Sequence, residues 1–440
     1  MKRYPAYKDS GVDWIGEIPK HWSATKLKHI TDIKGRIGFK GYTKEDLVKD
    51  GEGALTIGAK HIDKNNKINL SEPEYIKWEK YLESPEIMVK TGDILVTQRG
   101  SLGKVAVIEN EIGNATINPS IVILKNIDLN AKYLYYFLNG DYFKRNTEII
   151  SSSTAVPMIS QEELGNFNIL SPLNTEQSQI AIFLDHKTTQ IDDLIDKKQK
   201  IIELLKEDRT ALINNAVTKG LEHHVPMKDS GIEWIGDIPK HWKLARLGHH
   251  SEMIVPMRDK PTDLTGDIPW LRIEDFDSKY VSKSKTNQGV SLELIQQMNL
   301  KIFPKGTVLC SCSCNMGKTA IVKSPLITNQ TFIGIVPKEN ISSDFLFYLM
   351  QSSEQYLNVI ATGAIQSYLS RNDFEKLLIP FPTKEEQIAI ALFIDQKTLQ
   401  IEELIERKQK LIDQLKEYKS SLINEAVTGK IDVRNYTLPV

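Results

Sequence analysis

Asn174 to Thr218 reads NTEQSQIAIFLDHKTTQIDDLIDKKQKIIELLKEDRTALINNAVT, and Lys384 to Thr428 reads KEEQIAIALFIDQKTLQIEELIERKQKLIDQLKEYKSSLINEAVT. The two stretches align at a constant offset, and neither contains Gly or Pro. In the first, Ile191, Leu194, Ile201, Leu205 and Leu212 recur at steps of three, four or seven. Ile401, Leu404, Leu411, Leu415 and Leu422 repeat that pattern in the second, and such spacing is the seam of a coiled coil. Each stretch follows a proline, Pro172 or Pro382, and opens with a capping box, Asn174 with Gln177 and Thr383 with Glu386. The spacing predicts one long helix per stretch. At 1.5 Å per residue, about 40 residues give a rod of roughly 60 Å, a length that suits a spacer.

A second element is also duplicated. Lys8 to Trp22 reads KDSGVDWIGEIPKHW and Lys228 to Trp242 reads KDSGIEWIGDIPKHW, differing only by Val for Ile and Asp for Glu exchanges. The tryptophans Trp14, Trp22, Trp234 and Trp242 read as core anchors. Between each opening motif and each rod lie about 150 residues that agree in outline only. GDILVTQRGSLGKVAVIE (Gly92 to Glu109) faces GTVLCSCSCNMGKTAIVK (Gly306 to Lys323): strand, loop of small polar residues, Gly-Lys, strand. Leu134 to Leu138 faces Leu346 to Met350 as an aromatic-rich helix, and Ser160 to Leu164 faces Ser370 to Phe374. The halves are thus expected to share a fold while differing in surface chemistry.

Composition sets broad limits. The 440 residues are 40% hydrophobic and 26% charged with net charge -1, enough for two or three domains of a soluble protein. No apolar run reaches membrane-spanning length, and the start MKRYPAYKDSG has no signal-peptide core, so the expected compartment is the cytoplasm, with no membrane partner. Cys310, Cys312 and Cys314 lack a fourth ligand and a nearby His, so no metal site is expected. Asn315 to Thr319 ends like a phosphate-binding loop, but Cys312 stands where that loop needs Gly. Asn118-Pro119-Ser120 approaches the Asn-Pro-Pro-aromatic motif of adenine methyltransferases without its second Pro or ring. No catalytic residue is assigned.

The order opening motif, variable region, helix, repeated twice, with KDSG-x-x-WIG-x-IPKHW, EQ-x-x-I before each rod and LIN-x-AVT at its end, resembles the specificity subunit of type I restriction-modification enzymes over nearly the whole chain. The resemblance implies an α+β protein: two mixed α/β target-recognition domains separated by two long antiparallel coiled-coil helices, as a pseudo-two-fold internal repeat. The boundaries are 1–171 and 219–381 (with its linker) for the recognition domains, 172–218 and 382–428 for the helices, and 429–440 for a tail. It further implies double-stranded DNA as partner, each domain reading one half of a bipartite site, and helices that set spacing and dock two methyltransferase subunits. Restriction/translocase subunits can join that assembly. The chain itself would hold no cofactor, with S-adenosylmethionine, ATP and Mg expected in the partner subunits. A coiled-coil scaffold joining two protein-binding modules is the competing reading, and a self-contained methyltransferase or nuclease lacks the necessary motifs.

Residue types point to where DNA would be met. Lys26, Lys28, Lys34 and Arg36 form a basic stretch suited to phosphates. The loops carry Gln98, Arg99, Ser101 and Lys104 in the first half, and Ser311, Ser313, Asn315 and Lys318 in the second. Arg and Lys suit guanine, Asn and Gln adenine, and Ser either base. The linker Lys219 to Lys228 is too short to reach far, so the rods are expected to run antiparallel. That would lay the tail beside the first opening motif and the linker beside the second.

Overall fold

The computed structural model describes residues 2–36, 41–152, 158–222, 224–256, 260–313, 316–361 and 368–438. The two long helices run Asn174–Lys219 and Lys384–Val427. The chain divides into two units, Met1–Lys198 with Lys410–Val440, and Gln199–Gln409. Each unit therefore contains the start of one long helix and the end of the other.

The first unit is built on an antiparallel sheet in the order Asp32–Gly35, Ile121–Lys125, Ile94–Thr97, Val105–Val107. Ile94, Val96, Val122 and Leu124 alternate onto one face with the aromatic helix Ala131–Leu138, while Leu95, Ile121 and Ile123 build a second core on the other. Both faces of the two central strands are buried, which is why Ile94–Thr97 and Ile121–Lys125 read as nearly unbroken apolar runs, whereas the edge strand Asp32–Gly35 exposes Asp32 and Lys34. A smaller sheet orders Ala115–Ile117, Gly53–Ile57, Glu74–Lys77 and Leu47–Val48. Strand Ser23–Lys26 pairs with Asn168–Ser171 and closes the unit at the mouth of the long helix.

The second unit repeats the plan. Its main sheet orders Ser251–Ile254, Phe332–Pro337, Val308–Ser311, Thr319–Val322, and adds an edge strand, Tyr280–Val281. Gly289–Val290, Ile268–Leu271 and Ile327–Thr328 form the smaller sheet, and Lys243–Arg246 pairs with Leu378–Phe381. Short helices Gln161–Gly165 and Arg371–Lys376 start behind the capping serines Ser160 and Ser370.

In each unit the two helix segments run antiparallel. In the first, Lys419 Nζ meets Asp192 at 2.7 Å, and the chain beyond it continues to Tyr436, packed on Phe183. In the second, Arg209 pairs with Glu402 at 3.4 Å, while Ile213 and Val217 share a core with Ile390 and Ile394. The seam is one residue away from part of the sequence expectation. Leu194, Ile201, Leu404 and Leu411 are exposed, whereas Ile195, Ile202, Ile405 and Ile412 turn inward. Each exposed residue precedes an isoleucine, so the sequence offers two stripes about 100° apart on the helix. The inward stripe, 191, 195, 198, 202, 205, 209, 212, 216, keeps an unbroken 4-3 heptad spacing, with Lys198 and Arg209 half-buried in it. Ile191, Leu205, Leu212, Ile401, Leu415 and Leu422 keep their seam positions, buried or half-buried.

The capping expectation holds for the second helix, where Thr383 and Glu386 bond each other's backbone amides at 2.9 and 3.3 Å. The first helix differs. Asn174 is already helical, and Gln177 turns inward to donate to the Pro172 carbonyl at 2.9 Å and accept from Asn130 N–H at 2.7 Å. Gln387 does the same with Pro382 and Ser342. The Gln of each EQ pair thus welds the long helix to the aromatic helix, whose first free amide it caps.

Candidate nucleic-acid interface

The repeated motifs form a clamp in each unit. Glu176 accepts from His21 Nε2 at 2.8 Å and from Trp22 Nε1 at 3.1 Å, and Glu386 accepts from His241 and Trp242 at 2.8 and 3.0 Å. Trp22 and Trp242 are buried, as expected of core anchors. Trp14 and Trp234 are not: they stack on Tyr142 and Tyr356 at the surface, Trp14 remaining 40% exposed. The EQ pair and the HW pair are therefore one structural device, which accounts for their joint repetition.

On this frame the loops at one end of each unit's main sheet are joined from distant sequence. In the first, the loop after Ile94–Thr97 is fixed by a bridge between Arg99 and Met158 and by Ile159 N–H donating to the Gln98 carbonyl at 3.0 Å. Gly35 abuts Gln161, which brings the end of the edge strand to the same place. In the second, Ser313 bridges Tyr368, and Leu369 N–H donates to the Cys312 carbonyl at 2.9 Å. Met158 and Tyr368, both exposed, are surface features that no sequence motif announced. Their common signal is position, a few residues before each capped short helix.

The residues selected from sequence separate into two kinds. Arg99 and Ser101 are exposed on the loop, Lys26 and Lys34 are exposed on strands Ser23–Lys26 and Asp32–Gly35, and Lys28 is exposed on the helical turn between them. Lys26 and Lys28 lie against the Asn166–Asn168 segment, where Lys28 donates to Asn166 at 3.0 Å. Arg36 is buried: it donates to the Ile117 carbonyl and to Thr116 at 3.1 Å, and its guanidinium lies over Tyr42. Burial lowers its pKa, a cost that a phosphate-contacting arginine in solvent would not carry. Gln98 donates inward to the Pro119 carbonyl at 2.9 Å.

Lys104 and Lys318, the Gly-Lys lysines, donate to the carbonyls of Ile62 at 2.7 Å and Ile273 at 3.0 Å. They tether a turn in each unit rather than projecting into a groove. Ser311 is buried and donates to the Ser313 carbonyl, and Ser313 is itself buried. Asn315 and Cys314 lie outside the described residues. Arg36, Gln98 and Ser311 are buried with partners already made, and the half-buried Lys104 and Lys318 are bonded to carbonyls, so none of these five reaches a base without breaking those bonds, while Ser313 is buried.

The decoys resolve similarly. Asn118 accepts from Ser120 in a local turn, at 2.9 Å from the amide. Burial pushes the Cys312 thiol up to about 11 and Cys310 higher still. Among the described residues no cluster of His, Cys, Asp or Glu is arranged for a metal, and no helix is long and apolar enough to cross a membrane.

Two units of one plan, each closed by a helix clamp and presenting its own loops, describe a duplicated recognition protein. The chain matches the type I restriction modification DNA specificity domain over residues 19–206 and 255–415, and it belongs to that family. It is 26% identical to the MjaX type I restriction enzyme specificity subunit of Methanocaldococcus jannaschii, across 96% of each chain. It is 21% identical to the HindI specificity subunit of Haemophilus influenzae, over 68% of this chain and 78% of that one. In fold it is similar to a chain solved in work on complex assembly and conformational transition of the type I R-M system, with TM-score 0.74, 15% identity and coverage of 94% and 99%. The HsdS subunit from Thermoanaerobacter tengcongensis matches with TM-score 0.54, 14% identity and coverage of 94% and 98%. The function that follows is DNA-sequence specificity in a type I restriction-modification system.

Proposed function

We propose that each unit reads one half of a bipartite DNA site, and that the long helices set the spacing and dock two methyltransferase subunits. The observation that carries this reading is internal to the chain. The two units share strand order and clamp, Glu176 with His21 and Trp22 or Glu386 with His241 and Trp242, yet differ at the matched loop position, where Arg99 is exposed in one and Ser313 is buried in the other. Selection on a common frame with divergent tips is what two readers of two sequences require.

Apolar side chains that remain exposed on the helices, among them Leu194, Ile201 and Leu204 on the first and Leu392, Leu399, Leu404 and Leu411 on the second, suit the docking of partner subunits. In this reading the chain is not catalytic. Methyl transfer from S-adenosylmethionine and any Mg- and ATP-dependent translocation and cleavage belong to the methyltransferase and restriction subunits.

The test is an exchange of residues 26–169 for the matching segment of a relative, assayed by mapping methylated sites in cells that carry the methyltransferase subunit. One half of the target should change and the other persist. A simultaneous change in both halves would falsify the two-reader arrangement.

A further inference from the structure

The two units differ at one matched place in a way that points to a specific DNA contact. In the first, Asn118 N–H donates to the Ile57 carbonyl at the end of the smaller sheet, and in the second Asn329 N–H donates to Leu271 at 3.4 Å, so the two asparagines correspond. Around Asn118 the space is filled. Arg36 packs against Ile117 and Thr116, Tyr42 bonds Thr56 at 3.2 Å, and Asn118 is hydrogen-bonded to Tyr42.

The strand register places Pro256 where Arg36 stands, since Asp32 pairs with Lys125 as Glu252 pairs with Val336. A proline cannot span that volume. The second unit has instead an open pocket of about 210 Å³ against Trp270 and Ile327, rimmed by Lys260 and Lys301, with no acid among the described residues that line it. Asn329 Oδ1 accepts from Thr331 at 2.7 Å, and among the described residues its Nδ2 has no partner. Gln330 is exposed. Its carbonyl is held by the Cys312 thiol at 3.8 Å, and its carboxamide has no partner among the described residues. The same segment is joined to the recognition loop, because Cys312 N–H donates to Thr331 at 2.9 Å.

Resting on the reading of the chain as a DNA-specificity protein, we propose that this pocket is a nucleotide-contacting site of the second unit. Gln330 reads a base edge, and Lys260 and Lys301 hold the adjoining phosphates. A backbone-anchored carboxamide with both its donor and its acceptor free matches the N7 acceptor and N6 donor of adenine in the major groove, so the base read is adenine. Two solvated lysines on that rim supply the non-specific part of the contact, and the first unit, its equivalent volume filled, makes no such contact.

The experiment selects bound sequences from a randomised duplex pool with the full chain assembled with its methyltransferase subunits. Gln330→Ala should erase the preference for adenine at one position of one half-site, a loss of roughly 5- to 150-fold in discrimination. Lys260→Ala and Lys301→Ala should weaken binding to all sequences alike and each lower the salt slope by about one. If the wild type selects a bipartite sequence and Gln330→Ala selects the same one with equal stringency, or the lysine variants keep the wild-type salt slope, the pocket assignment is wrong while the DNA-reading function stands. If the wild type selects no sequence, the reading beneath it has failed as well.

Discussion

Both units fasten their aromatic helix to an aspartate of a long helix, and they draw the fastening lysine from different places. In the first, Lys132, on the aromatic helix itself, reaches Asp185 at 2.6 Å and Glu109 at 3.1 Å, and Tyr136 donates to Asp185 at 2.7 Å. In the second, the place of Lys132 is taken by Asp344, and Lys279, beside the extra edge strand, bonds Asp395 and Asp344 at 2.7 Å while Tyr348 donates to Asp395. The aspartate and tyrosine keep their positions and the cation migrates. A duplicated frame can therefore hold its geometry while its surface is rewritten, because the electrostatic requirement is a charge at a point in space and not a residue at a point in the chain.

The largest expected asymmetry lies at the tail. Tyr7 donates to the Gly429 carbonyl at 3.0 Å, Lys430 donates to the Glu17 carbonyl at 2.6 Å, and Asp432 N–H donates to Lys2 at 2.9 Å, with Ile431 and Val433 buried behind them. The left-handed Gly429 that starts this tail lies against Pro19, as the left-handed Gly220 lies against Trp242 in the second unit. Deleting residues 430–440 removes two core side chains, Ile431 and Val433, whose burial contributes about 1.5–3 kcal/mol each, so the first unit should lose roughly 3–6 kcal/mol. Amide exchange resolved by peptide should show that loss in the first unit alone. Equal deprotection of both units would mean that they do not hold separate stabilities.

Arg36 comes next. Arg36→Ala leaves the Ile117 carbonyl and the Thr116 hydroxyl short of a partner in a buried place, a cost of about 1–3 kcal/mol. Thermal melting should register it, while the salt dependence of DNA binding should stay at the wild-type slope. A lower slope would return Arg36 to the phosphate-binding role its sequence context suggested.

The lysine fastenings sharpen the opening contrast. Lys279→Met strands two carboxylates beside each other around a side chain only 15% exposed, and about 1–2 kcal/mol should be lost, whereas Lys132, 40% exposed, should cost under about 1 kcal/mol. Adding Asp344→Lys in the Lys279→Met background should recover part of the loss, by building the first unit's solution into the second.

The helices, the duplicated motifs and the shared strand order were legible because each rests on a repeat or a periodicity that spans many residues. The clamp was half legible. EQ-x-x-I and IPKHW stood out as repeats, but only folding brings Glu176 to His21. The seam register was ambiguous because Leu194-Ile195, Ile201-Ile202, Leu404-Ile405 and Leu411-Ile412 place apolar side chains on both stripes. The loop residues were the least legible. Polar types that can bond bases can equally bond a carbonyl of their own fold, as Gln98, Lys104 and Lys318 do, and no local pattern distinguishes the two uses.

The smallest effect concerns the clamps themselves. The Glu176 side chain is 4% exposed, with Arg434 of the tail 3.6 Å away, whereas Glu386 is 34% exposed and has no tail over it. Partial burial opposes ionisation of Glu386. The hydrogen bonds it accepts from His241, Trp242 and Thr383 outweigh that cost and hold its carboxyl below the ordinary glutamate range. A depressed carboxylate stabilises the fold at pH values above its unfolded pKa, about 4.3, and that contribution is lost as pH falls through the lower folded value. Solvent screening keeps it under about 1 kcal/mol. Glu386→Gln preserves an acceptor for His241 and Trp242 but removes the charge. Wild type and variant should therefore differ slightly at neutral pH and converge as acid protonates Glu386, in the exchange rates of the first turn of the second long helix. A difference that widened on acidification would mean that the carboxyl is held above its ordinary range, and that the exposed clamp works through the neutral acid.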